Sequence, residues 1–280
     1  MTPDNGQPVI RVADLVKRFG DKTVLNGVSL DVQPGETMVI MGGSGCGKST
    51  LLRHMIGSLV PDEGRVELFG EDLAQLDEDG LDRMRRRFGV LFQSGALLNS
   101  MTVGENVALP LREHSDLDEK TIEIMVQIKL EQVGMRTAIH RMPAQISGGM
   151  KKRAGLARAI ALDPDILFYD EPSAGLDPVT SAEIDQLMLG LTKRLGITSV
   201  VVTHEMDSAF TIADRMAMLD KGRVLKVASR QEFEAIRDGE TTGEDAADLI
   251  RQFLRGESEG PITRRRLASG FAEEILKAAE

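Results

Sequence analysis

Residues 42–50 read GGSGCGKST and fit the spacing G-x-x-x-x-G-K-S/T through Gly42, Gly47, Lys48 and Ser49. Residues of these types at this spacing bind anions. Gly42, Gly43, Gly45 and Gly47, with Ser44 and Cys46 between them, free backbone N–H groups to curl round phosphate oxygens, and a helix opening at Lys48 adds its positive end. The Lys48 amine would reach the β- and γ-phosphates of a nucleotide. The Ser49 hydroxyl would coordinate its Mg2+, and Thr50 is placed for the α-phosphate. Such a site needs an acid at the end of a neighbouring strand. The run ILFYDE supplies Asp170, suited to Mg2+ directly or through water, and Glu171, able to polarise the water that attacks the γ-phosphate. His204 ends the run SVVVTH, where an imidazole could bridge the γ-phosphate and the Glu171 region. A Gly-rich turn, two surface acids or a structural histidine would each be the bland reading alone, and their combination disfavours it. Cys46 has two readings. A helix N-terminus could lower its pKa and make it a redox or alkylation switch that ATP shields; the preferred alternative is a small residue filling the loop.

The elements that must position these groups alternate along the chain. TMVIM (37–41) reads as a buried strand and 48–58 as a helix. DILFYD (165–170) and SVVVTH (199–204) are further apolar runs with helical patterns around them, which argues for parallel strands with crossover helices. The first 35 residues, RVELFG (65–70) and the hairpin 215–227 around Lys221 and Gly222 read as antiparallel strands. From 81 to about 144 the pattern is mostly helical. Beyond Arg237 the chain turns acidic, then places Arg264, Arg265 and Arg266 before Leu267, Phe271 and Ile275, one stripe on a helix. The 280 residues are 41% hydrophobic, enough for a large core. The single cysteine excludes an internal disulfide and fits a reducing compartment. A formal charge of −10 disfavours broad electrostatic binding of nucleic acid. Met1 leads into a polar segment and no apolar run reaches 18 residues, so a soluble cytoplasmic chain is expected.

The stretch ISGGMKKRAGLARAIALDPDILFYDEPSAGLD (146–177) is narrower than the phosphate motif and resembles the ATP-binding cassette (ABC) family over about residues 9–237. That resemblance implies an α/β fold: a P-loop NTPase core with an antiparallel β subdomain, an inserted helical signature subdomain at about 81–160, and a helical C-terminal tail. Residues 1–237 would be the ATPase domain and 238–280 an extension whose stripe could dock on its own domain, on the second subunit or on a small regulator, the second subunit being preferred. It further implies that Phe19 stacks on adenine and that Gln93 senses metal and water. Ser147, Gly148 and Gly149, opening a helix from Met150 to Ala161, would cap the γ-phosphate held by a second copy in a head-to-tail dimer. Asp177 would close the loop facing that site. Ile146 and Met150 replace the family's usual leucine and glutamine, and Met150 puts one polar contact in doubt.

The segment FQSGALLNSMTVGENVALPLREH (92–114) carries Ala96, Leu97, Leu98 and Met101 in a turn-like stretch. They either pack internally or, as the resemblance implies, line a groove at about 94–106 for an amphipathic helix of a membrane subunit. With the 146–178 stretch, the wording is similar to the ATPases of Mla-type lipid transporters. These work with an MlaE-like permease, an MCE-domain lipid-binding protein and in some cases a small STAS-domain regulator. A peripheral ATPase on the cytoplasmic face of the inner membrane, moving phospholipid, is then expected. The alternative is an importer ATPase for amino acids or another small solute. A DNA-repair or translation cassette would carry coiled-coil insertions, zinc cysteines or a second cassette, which this sequence lacks. Arg83, Arg85, Arg86 and Arg87 read as a solvated helix face.

Overall fold

The computed structural model describes residues 6–240 and 245–262. The chain opens with β1 (Ile10–Phe19) and β2 (Lys22–Val32), an antiparallel hairpin running from Ile10 opposite Val32 to Phe19 opposite Lys22. Ile10, Val12, Leu25, Val28 and Val32 point inward, as a sheet with one wet face requires. Next, β3 (Thr37–Gly42) is buried at every position and hands over through the phosphate loop to α1 (Lys48–Met55). The short strands β4 (Glu63–Leu68) and β5 (Glu71–Asp72) return to the first sheet, whose order is β2-β1-β4-β5.

After α2 (Glu78–Arg85) comes β6 (Phe88–Leu91), then three helices, α3 (Val103–His114), α4 (Glu119–Gln132) and α5 (Gly148–Ala159). The chain continues through β7 (Ile166–Asp170), α6 (Pro178–Leu195), β8 (Thr198–Val202) and α7 (Met206–Ile212). It ends with β9 (Arg215–Asp220), β10 (Arg223–Ser229), α8 (Arg230–Asp238) and α9 (Asp245–Arg255). The second sheet has the order β10-β9-β3-β8-β7-β6 and is parallel except for β10. Its strands are two-sided. Val39, Met41, Leu167, Tyr169 and Val201 enter the core shared with the helical insert, whereas Met38, Ile40, Phe168, Val200 and Val202 enter the core under the antiparallel sheet. Period-2 alternation of apolar residues on both faces gives the continuous apolar runs of the sequence.

Three expectations change. The helical span from 81 contains β6, which joins the parallel sheet beside β7, so the helices α3 to α5 start only after Leu91. The first helix stops at Met55, with Ile56 as its C-cap, rather than at 58. The helix expected from Met150 starts at Gly148 and stops at Ala159, because the Ser147 side chain caps it by accepting from the Met150 N–H. The described part of the extension packs on its own domain. Ala247, Leu249, Ile250 and Leu254 are buried, and Arg251 and Arg255 donate to the Ile236 and Arg237 carbonyls of α8. The stripe Leu267, Phe271 and Ile275 lies outside the described residues.

The β9–β10 hairpin turns where expected. Lys221 (φ 46) and Gly222 (φ 77) are both left-handed, the two-residue geometry that matches strand twist. Its tip is anchored: Gly222 donates to the Cys46 carbonyl at 3.0 Å and accepts from the Asn26 N–H at 2.8 Å.

Candidate functional site

The parallel register brings the expected groups to one edge of the sheet. Ile40 of β3 pairs with Val202 of β8, and Val202 pairs with Asp170 of β7, so the phosphate loop, Asp170 and His204 all leave the sheet at its carboxyl end. At Gly42 (φ 151) a Cβ would stand 2.2 Å from the Leu219 carbonyl oxygen, so a side chain there would displace the loop from β9. At Gly47 (φ 113) it would meet Leu25 Cδ2 at 2.7 Å, since β2 crosses over the loop. Lys48 is buried, and its Nζ donates to the Gly42 and Gly43 carbonyl oxygens at 2.7 and 3.2 Å. A buried ammonium held by carbonyls rather than by a carboxylate is a charge available to an anion. Ser44, Gly45 and Ser49 are exposed and Thr50 is half-buried. Cys46 is buried against Gly42, and burial pushes its thiol up, with Lys48 pulling the other way. Both features favour the reading of Cys46 as a small residue filling the loop.

Opposite the loop stands a carboxylate–imidazole pair. Glu171 Oε2 lies 2.8 Å from His204 Nδ1 and 3.4 Å from the His204 N–H. Glu171 itself has a left-handed backbone (φ 50), uncommon for a residue with a side chain. Its N–H donates to the Val202 carbonyl at 2.8 Å, which fixes it at the edge of β8. Beside it, burial raises the Asp170 carboxyl above its ordinary range, Glu171 adds to this, and Arg53, Lys152 and Lys48 oppose it. Two adjacent acids in a partly dry site suit a divalent cation, and Ser49, Asp170 and Gln93 together offer only oxygen donors, as hard Mg2+ prefers.

The remaining expected residues take other places. Phe19 is 49% exposed at the end of β1, with Lys17 Nζ 5.7 Å from its ring centre, a face open for stacking. Gln93 is exposed just past β6. The trio Ser147–Gly149 packs on the segment after β7: a Cβ on Gly149 would reach Thr180 Cγ2 at 2.5 Å, and one on Gly148 Leu176 Cδ2 at 3.7 Å. Asp177 caps α6, accepting from the Val179 and Thr180 N–H groups at 3.1 Å each and from the Thr180 hydroxyl, which holds its carboxyl below the usual range.

Three residues at this site carry no motif. Asn106 is fully buried and holds the 98–102 turn, accepting from the Leu98 N–H at 2.8 Å and donating to the Leu98, Met101 and Thr102 carbonyls. Arg158 of α5 donates to the Ala96 and Gly95 carbonyls at 2.8 and 3.2 Å. Within the stretch the two readings divide: Leu97 packs on the core, whereas Ala96 and Leu98 are exposed and Met101 is half-buried. The third is Lys152, buried on α5, whose Nζ donates to the Glu171 carbonyl at 2.9 Å.

The sequence profile of the ABC transporter family matches residues 25–174. The "Intermembrane phospholipid transport system ATP-binding protein MlaF" of Haemophilus influenzae is 38% identical over 271 residues, covering 97% of this chain and 99% of that protein. The "Probable ribonucleotide transport ATP-binding protein mkl" of Mycobacterium leprae is 40% identical over 253 residues, 90% of this chain and 70% of that protein. Among solved structures, the ATP-binding cassette MJ0796, as a dimer in a post-hydrolysis state bound to ADP and Pi, superposes with a TM-score of 0.73 at 31% identity. The match covers 79% of this chain and 98% of that one.

Proposed function

The chain belongs to the ABC transporter family, and from that premise we propose that it is the ATP-hydrolysing subunit of a phospholipid transporter at the inner membrane. The observation that carries the hydrolytic part is the Glu171–His204 pair at 2.8 Å, at the same sheet edge as a phosphate loop whose lysine is held by two of the loop's own carbonyls. The loop N–H groups and Lys48 would hold the β- and γ-phosphates. Ser49, Asp170 and Gln93 would hold Mg2+, which when bound neutralises charge building on the phosphoryl oxygens. Glu171 would then accept a proton from the attacking water while His204 orients its carboxylate. Phe19 offers the ring for the base. Ser147–Gly149, at the start of α5, point a helix N-terminus toward the nucleotide of a second copy in a head-to-tail dimer.

The phospholipid cargo rests on identity across nearly the full length to a protein of that name, and the exposed Ala96–Leu98 surface is the site offered to a membrane permease. No helix among the described residues is long and apolar enough to cross a membrane. The name of the mycobacterial relative favours a second reading, transport of a polar solute. A detergent pull-down of the full chain from its native membranes separates the two. A multi-span permease, an MCE-domain protein and bound phospholipid are expected. A soluble solute-binding protein with a different permease would discard the lipid cargo while keeping the motor.

A further inference from the structure

Glu171 sits in a left-handed backbone conformation (φ 50) that its side chain disfavours, and such residues persist only where their surroundings over-determine them. The peptide N–H on one side is held by the Val202 carbonyl of β8 at 2.8 Å. The carbonyl on the other side accepts a long 3.3 Å bond from the Ala174 N–H and a 2.9 Å bond from Lys152 Nζ. Lys152 is 4% exposed, so its ammonium has left water to make that bond. Burial pushes the amine down, and the charges of Glu171, Glu205 and Asp170 hold it up. The Lys152 bond falls on the peptide that follows Glu171, so it restrains the backbone of the residue whose carboxylate is bonded to His204.

We infer that Lys152 is a positioning residue for ATP hydrolysis: from α5 it braces the backbone of Glu171 and so keeps that carboxylate on His204. The inference rests on the motor reading above. Lys152 lies five residues beyond Ser147 on one helix, about 7–8 Å along its axis, so a shift of that helix end is passed to Glu171 through a single side chain.

The test compares K152M, which keeps length and apolar stem but removes charge and donor, with K152R, which keeps both. Steady-state hydrolysis by the full-length protein, binding of a fluorescent ATP analogue and thermal melting are measured on each. K152M is expected to lose about 10- to 100-fold in kcat, the cost of a small misplacement of a reacting group, with KM for ATP within about twofold. K152R should recover most of the rate. A K152M variant with wild-type kcat overturns the inference. So does a parallel fall of kcat, affinity and melting temperature in both variants, which would make the lysine a part of the fold alone. A wild-type chain that hydrolyses no ATP sinks the motor reading itself, an outcome distinct from either.

Discussion

At the scale of single residues the site separates binding from turnover. Lys48 Nζ is held by carbonyls of the phosphate loop itself, whereas Glu171 is bonded to the strand ends and His204. Glu171→Gln should therefore leave ATP affinity within about twofold while lowering turnover by about 100-fold or more, the scale of a lost general base. Equilibrium binding and phosphate release on the same preparation check this, and robust hydrolysis by the variant would remove Glu171 from its role. Cys46 shows where residue-level reading misleads. A loop position at a helix start points to a low thiol pKa, but the Sγ is turned inward against Gly42, and desolvation outweighs the field of the helix and of Lys48.

At the scale of elements, the legible parts were those whose partners are near in sequence or follow a period. The phosphate loop, the strand-end acids and the Lys221–Gly222 turn are local chemistry, and the buried strands announce themselves as apolar runs. β6 was hidden in a helical span because its four residues are too few to show a period and lie between charged and Gly/Ser-rich stretches. The roles of Lys152 and Arg158 leave no local signal in the sequence, since their acceptors lie 19 and 62 residues away. Asn106 was equally silent, and at this scale it makes the strongest prediction. Asn106→Ala takes the side-chain partner from four polar backbone groups of the partly exposed 98–102 turn, of which the Leu98 and Thr102 carbonyls keep backbone donors. A loss of about 2–4 kcal/mol is expected, because each unpaired buried group costs about 1–3 kcal/mol and some will reach water. Melting of the variant reads the stability. Co-purification with the membrane partner reads the turn itself, and should fall as well. Unchanged melting together with unchanged capture would show that the turn needs no such support.

For the whole molecule, the C-terminal extension is part of the body up to α9. Ending the chain at Asp238 would uncover Phe233 and Ile236 beneath the four apolar residues of α9. Melting should fall by at least about 5 °C, at roughly 2–4 °C per kcal/mol for a domain of this size. A truncated chain that melts like the full one would return α9 to the status of an appendage. The β9–β10 hairpin carries a different lesson for anyone re-engineering the protein. A two-residue turn with an exposed lysine looks like a natural place to graft a tag, split the chain or open new termini. Yet Gly222 is tied to the Cys46 carbonyl of the phosphate loop on one side and to Asn26 of the antiparallel sheet on the other, and a Cβ there would stand 2.4 Å from the Val24 oxygen. This small clasp joins the half of the molecule that carries Phe19 to the half that carries the phosphate loop. Foreign sequence spliced between Lys221 and Gly222 would pry those halves apart, so grafts belong on the far side of the sheet.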